Sequence, residues 1–264
     1  MVGLDPVPAR FPDELKGLPE PRAALEFCLG ILEAVEPHAA AVKPQVAFFE
    51  RLGPEGAEVY AALISAAQDL GLPAIADVKR GDIGPVAAAY AEAHLRRYGA
   101  HAATVNPYMG ADAVLPFLEE SRRLDAGGGV FVLVATSNPS SEAFQGATDP
   151  PLRDLAAGLV KDLGQKDGDY LDAGAVVGAT RPEVGRRVRE HLPDALFLCP
   201  GYGAQGGAAE EIPPLLDAKG AGVLVNSSRA ILYAHEDARD DYRRASREAS
   251  RKAKEELLRA GVGF

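Results

Sequence analysis

The segment Ile75-Ala76-Asp77-Val78-Lys79-Arg80-Gly81-Asp82-Ile83 gathers two carboxylates and an ammonium at the end of an apolar run. Residues two apart on a strand point to the same side, so Asp77 and Lys79 share a face. Gly81 lets the chain turn sharply, and Asp82 follows as the next helix approaches. An Asp-x-Lys pair on a surface is usually an ion pair of little consequence. At the end of a buried strand the same pair is costly unless it serves a site, where it can donate a proton or stabilise developing charge. Asp5 and Lys43 end two other apolar runs and extend the charged set. Far along the chain, Gly201, Gly203, Gly206 and Gly207 form a loop whose backbone N–H groups can surround an anion, and Arg229 offers a forked donor suited to phosphate. Alone, those glycines are as well explained by a tight turn and Arg229 by a surface cation. Set opposite Asp77 and Lys79, they read as a phosphate anchor.

The elements that must carry these residues alternate along the whole chain. Strands are expected at Val2–Leu4, Ala39–Lys43, Pro73–Val78, Ala102–Asn106, Val130–Ala135, Ala175–Ala179, Leu196–Pro200 and Gly222–Asn226. Helical periodicity is expected over Arg22–Ala34, Glu55–Leu70, Pro85–Tyr98, Leu152–Leu163 and Glu183–His191. The strands are continuous apolar runs, as in a parallel sheet covered by helices. Such units fit a closed (β/α)8 barrel, with an open doubly wound sheet as the competitor. No Gly-x-Gly-x-x-Gly fingerprint follows the first strand, which weakens a dinucleotide-binding version of the open sheet. A barrel places its chemistry at the C-terminal strand ends. Those positions are Asp5, Lys43, Asp77, Lys79, Asn106, Ser137, Thr180, Pro200, Ser227 and Ser228.

The chain has 264 residues, and one barrel of about 250 residues would use them all. A single domain over 1–264 is therefore expected. The net charge of −10 argues against binding nucleic acid or an anionic membrane, so an anionic substrate must be held by a few local cations. Cys28 and Cys199 lack metal-like spacing and read as reduced thiols. With no run of the about 20 apolar residues that a membrane helix needs, and no signal-like start, the expected location is the cytoplasm. The charged stretch from Arg239 to Arg259 is expected to be a solvated terminal helix.

The motif Asp-x-Lys-x-x-Asp-Ile at Asp77–Ile83 resembles the signature of orotidine 5′-phosphate decarboxylases, in their longer-chain bacterial branch. Gly3-Leu4-Asp5-Pro6, Lys43-Pro44-Gln45, Thr136-Ser137-Asn138-Pro139, Pro200-Gly201-Tyr202-Gly203-Ala204-Gln205-Gly206-Gly207 and Asn226-Ser227-Ser228-Arg229 agree with that family in order. Each motif is weak alone, and their joint order is strong. The resemblance implies a (β/α)8 barrel that decarboxylates a nucleotide with no cofactor and no metal. It implies that Asp5 binds a ribose hydroxyl and that Lys43 links the ribose to the charged network. Asp77 would lie beside the scissile carboxylate, and Lys79 would protonate C6 of the pyrimidine. Ser137 would read the pyrimidine edge, Ile83 and Pro200 would contact the substrate, and Gln205, Ser228 and Arg229 would bind phosphate. Asp82 would reach the neighbouring site of a homodimer.

Two features depart from the family's pattern. A Thr that contacts ribose usually stands four residues after the second acid of the signature; here the residue is Val86, preceded by Pro85, which a helix's first turn tolerates. Only Met1, Val2, Gly3 and Leu4 precede Asp5, which leads to the expectation that the natural start lies upstream. Three rival readings remain at this point. A related sugar-phosphate decarboxylase or aldolase would use Mg²⁺, held by an acid where this chain has Lys43. A Schiff-base aldolase would use Lys79 as nucleophile. A non-catalytic barrel could simply bind a phosphate ligand.

Overall fold

The computed structural model describes residues 1–203, 208–238 and 240–263. Eight parallel strands run β1 (Val2–Leu4), β2 (Val42–Pro44), β3 (Ile75–Arg80), β4 (Ala102–Val105), β5 (Gly129–Ala135), β6 (Ala173–Val177), β7 (Phe197–Cys199) and β8 (Val223–Val225). Ladders join β1 to β2, and β3 through β8 in chain order. Parallel bridges Val42↔Ala74 and Gln45↔Asp77 connect β2 to β3, and Val2↔Ser227 connects β8 back to β1. The ring is thus closed, and the open sheet is excluded. A short antiparallel hairpin, Lys166–Asp167 with Tyr170–Leu171, stands apart from the ring.

The barrel interior holds Ala41, Ile75, Ala102, Phe131, Val176 and Leu198, while the larger apolar cluster fills the layer between strands and helices. Gly174 makes room inside: a Cβ there would sit 2.7 Å from the Phe131 ring. Helix Glu20–Val35 buries Ala24, Phe27, Cys28, Ile31, Leu32 and Val35, the helical spacing of a single apolar stripe.

Most differences from expectation lie at element ends. β2 and β3 begin later than the apolar runs do, and β6 ends at Val177 instead of Ala179. The helix expected over Pro85–Tyr98 is α-helical over Gly84–Ala91 with Pro85 in its first turn, then widens to π geometry over Glu92–Arg97. Helix Ala111–Ser121, unforeseen because it contains Pro116, completes the unit after β4. The terminal helix, Tyr242–Arg259, is not simply solvated: Tyr242, Ala245, Ser246, Ser250 and Leu257 are buried. Tyr242 packs on Phe27, with ring centroids 5.3 Å apart.

Candidate active site

The C-terminal end of β3 is where the ladder breaks. Ala76 pairs with Ala103 and Arg80 with Val105, so β3 advances four residues while β4 advances two. Lys79 absorbs the surplus with a positive φ of 47°, a left-handed conformation that costs a residue with a side chain roughly 1–2 kcal/mol. The bulge retains what strand alternation anticipated, since Lys79 Nζ lies 2.5 Å from Asp77 Oδ1. Lys43 Nζ reaches the other oxygen, Oδ2, at 2.6 Å. Asp77 and Lys43 are buried, at 6% and 4% exposure, whereas the Lys79 side chain is 46% exposed.

Burial alone would push the Asp77 carboxyl up, but the charges and hydrogen bonds of Lys43 and Lys79 outweigh it and hold the group down at about 2. The result is a fixed carboxylate between two ammonium groups, one sealed in the barrel and one facing its mouth. Such an array can stabilise negative charge, supply a proton from Lys79, or both.

The neighbouring strand ends assemble around this centre. Gly3 pairs across from Lys43, and its N–H donates to the Ser227 carbonyl at 2.9 Å. A Cβ on Gly3 would lie 1.9 Å from Ser228 Oγ, so only glycine permits that approach. Asp5 follows at the same rim, half-buried, with Oδ1 buried and unpartnered among the described residues. Asn226 Nδ2 donates to Ser228 Oγ at 3.2 Å, and Asn226 Oδ1 is likewise buried with no partner among the described residues. Arg229 is exposed at the start of a short helix. Pro200, half-buried, accepts from the Ala179 N–H at 3.0 Å.

Asp82 and Ile83 lie past the bulge. Asp82 Oδ1 accepts from the Ile83 N–H at 2.8 Å, and among the described residues it makes no ion pair with Lys79. Ile83 is 50% exposed, as is Val86 at 47%. Gln205, with Ala204, Gly206 and Gly207, lies outside the described residues.

Several supporting residues were not anticipated. Thr104, buried in β4, binds the bulge and Asp77 directly; the only signal was a polar residue inside an apolar run. Gln145 folds the loop carrying Ser137, accepting from Thr136 N–H at 3.0 Å and donating to Thr136 Oγ1 at 2.7 Å. Arg181 ties the same loop through the Thr136 carbonyl at 3.0 Å, Ser141 and Glu142. Hydrogen bonding from Arg153 draws the Glu142 carboxyl down to about 2 against desolvation, and the charges of Arg153 and Arg181 add to it.

Comparison with known proteins agrees with this geometry. The model of the "Orotidine 5'-phosphate decarboxylase / HUMPS family" matches residues 1–245. An orotidine 5′-phosphate decarboxylase of Bordetella petrii is 45% identical over 256 residues, covering 95% of this chain and 89% of the relative. The Leishmania donovani OMP decarboxylase structure superposes with a TM-score of 0.81 at 33% identity, covering 100% of this chain and 93% of that one. The Methanocaldococcus jannaschii enzyme, complexed with the inhibitor BMP, gives 0.69 at 25% identity, covering 97% of both chains. With the match spanning nearly the whole barrel, this chain belongs to the orotidine 5′-phosphate decarboxylase family.

Proposed function

We propose that this barrel converts orotidine 5′-phosphate to uridine 5′-phosphate by direct loss of CO₂, with Lys79 protonating the C6 carbanion. The observation that carries the mechanism is the buried Asp77 carboxylate bound to Lys43 on one oxygen and Lys79 on the other. Loss of CO₂ leaves negative charge at C6 with no electron sink, and an ammonium already in place stabilises that charge more than it stabilises the substrate. Two unit charges about 4 Å apart interact by about 4 kcal/mol at an effective dielectric of about 20. Asp77, beside the scissile carboxylate, disfavours the ground state. Asp5 takes a ribose hydroxyl, Ser137 the pyrimidine edge, Ile83 and Pro200 its flanks, and Gln205, Ser228 and Arg229 the phosphate. Binding energy at that remote end holds C6 against Lys79.

The Mg²⁺-dependent reading is disfavoured by Lys43, whose buried ammonium would repel a cation. Release of CO₂ from orotidine 5′-phosphate, undiminished by a chelator, is the expected result. No release, or release that the chelator abolishes, overturns the reading. Buried, unpaired Cys28 and Cys199 suit the reducing cytoplasm, where nucleotide synthesis would place the enzyme.

The active unit in this reading is a homodimer in which Asp82 completes the neighbouring site. Among the described residues Asp82 has no ion-pair partner, and exposed Ile83, Val86, Tyr108, Met109 and Phe144 stand on the segments that follow β3, β4 and β5. Exposed apolar residues of that kind, on the same end of the barrel as the acid, suit a second copy. Lys79→Ala and Asp82→Asn homodimers should each be nearly inactive. Random subunit exchange should restore about a quarter of wild-type activity, because half the dimers then hold one intact site of two. No recovery after exchange verified by mass spectrometry would place Asp82 in its own chain's site.

A further inference from the structure

We infer that Thr104 is the positioning residue of this site, its hydroxyl holding the β3 bulge that sets Lys79 against Asp77. One hydroxyl makes three bonds here. Thr104 Oγ1 accepts from the Val78 N–H and from the Lys79 N–H, each at 2.9 Å, and its own proton is directed to Asp77 Oδ1 at 3.1 Å. That uses both lone pairs and the single proton that a hydroxyl possesses. The side chain is 1% exposed, so water does not compete for these groups.

The bonds fall where the backbone needs them. Lys79 holds a left-handed conformation that its side chain disfavours, and such a conformation persists only when its surroundings over-determine it. Thr104 fixes the two N–H groups that enter the strained residue. On the far side the Arg80 carbonyl accepts from the Asn106 N–H at 2.7 Å, and the Arg80 guanidinium binds Glu50 at 2.7 Å over the Tyr90 ring. Lys79 is thus pinned from both sides, and the pin on its N-terminal side also touches the carboxylate that Lys79 must face. Valine would fill the same volume yet leave two N–H groups and a carboxylate oxygen short of a partner.

The inference rests on the reading that Lys79 acts at C6, and its test separates the two. Thr104→Val should stay folded and bind uridine 5′-phosphate within a few-fold of wild type, yet lose about 100-fold in kcat, the scale of a misplacement of about 1 Å. Thr104→Ser, which keeps the hydroxyl, should recover most of that loss. A folded Thr104→Val with unchanged kcat, a loss confined to KM, or equal losses in the Val and Ser variants would each overturn the inference. If Thr104→Val does not fold, Thr104→Ala compared with Thr104→Ser asks the same question, since the pair differs only in the hydroxyl. Lys79→Ala serves as the control. If it retains activity, the role of Lys79 is wrong; if it is inactive while Thr104→Val is not, the positioning role alone fails.

Discussion

Arg189 at the closed end of the barrel and Lys43 with Lys79 at its mouth are cations on one scaffold held in opposite ways. The Arg189 guanidinium donates to the carbonyls of Leu215, Leu192, Ala195 and Gly222 at 2.7–3.0 Å. It also stacks 3.6 Å from the Phe197 ring centroid. Burial draws it down to about 10, so it remains a cation at neutral pH. Its work is to join the chain entering β7 to the chain entering β8. At the mouth, Lys43 and Lys79 share one carboxylate, the backbone beside them is strained, and Asp5 Oδ1 and Asn226 Oδ1 have no partner among the described residues. A charge satisfied by backbone carbonyls serves the fold. Charges held chiefly by one another, on strained backbone, leave bonding capacity for a substrate.

Substituting each end should separate the two roles. The largest effect is expected from Lys79→Ala, a loss of at least about 1,000-fold in kcat with the barrel still folded, because the proposed proton donor and the main carbanion-stabilising charge go together. Near-wild-type turnover in that variant would sink the mechanism. Arg189→Met should do the reverse. Four carbonyls each lose a guanidinium donor, so unfolding by urea should show a loss of about 3 kcal/mol. Turnover of the folded fraction should stay within about twofold of wild type, since the change lies at the end of the barrel away from the chemistry. A large fall in kcat at full folding would mean that the two ends are coupled.

The sequence made the mouth far easier to read than its supports. Buried parallel strands are continuous apolar runs, so a charge at the end of one stands out, as Asp77 and Lys79 do. Thr104 does not stand out, because a β-branched residue is ordinary in a strand and its bonds depend on a register shift between β3 and β4. In the sequence Arg189 is one more polar position of a helix beside Arg186, Arg187 and Glu190; its burial is decided by loops joining other strands. Helix Ala111–Ser121 was hidden by Pro116, which counts locally against a helix, and packing overrides that cost. Strand ends moved by one to three residues because apolar character continues into the buried approach to each strand.

The smallest effect concerns acid stability, and it distinguishes the ends by which of them titrates. The folded Asp77 carboxyl sits at about 2, below the value of about 3.9 for an unfolded aspartate. A group depressed on folding contributes stability above its unfolded pKa and loses it as pH falls through its folded pKa. The mouth should therefore weaken between about pH 5 and pH 2, by about 1 kcal/mol between pH 6 and pH 3. Arg189, drawn down only to about 10, stays charged throughout that window and adds no slope. In urea titrations at the two pH values, Asp77→Asn should lack this share of the acid loss, while Arg189→Met should keep it. Asp77→Asn also leaves Lys43 buried without its counter-charge, so the variant should be less stable than wild type at pH 6, and the pH dependence rather than the absolute stability is the measure. If wild type and Asp77→Asn lose equal stability between pH 6 and pH 3, the two lysines do not hold the Asp77 carboxyl down, and the mouth is no more pH-sensitive than the closed end.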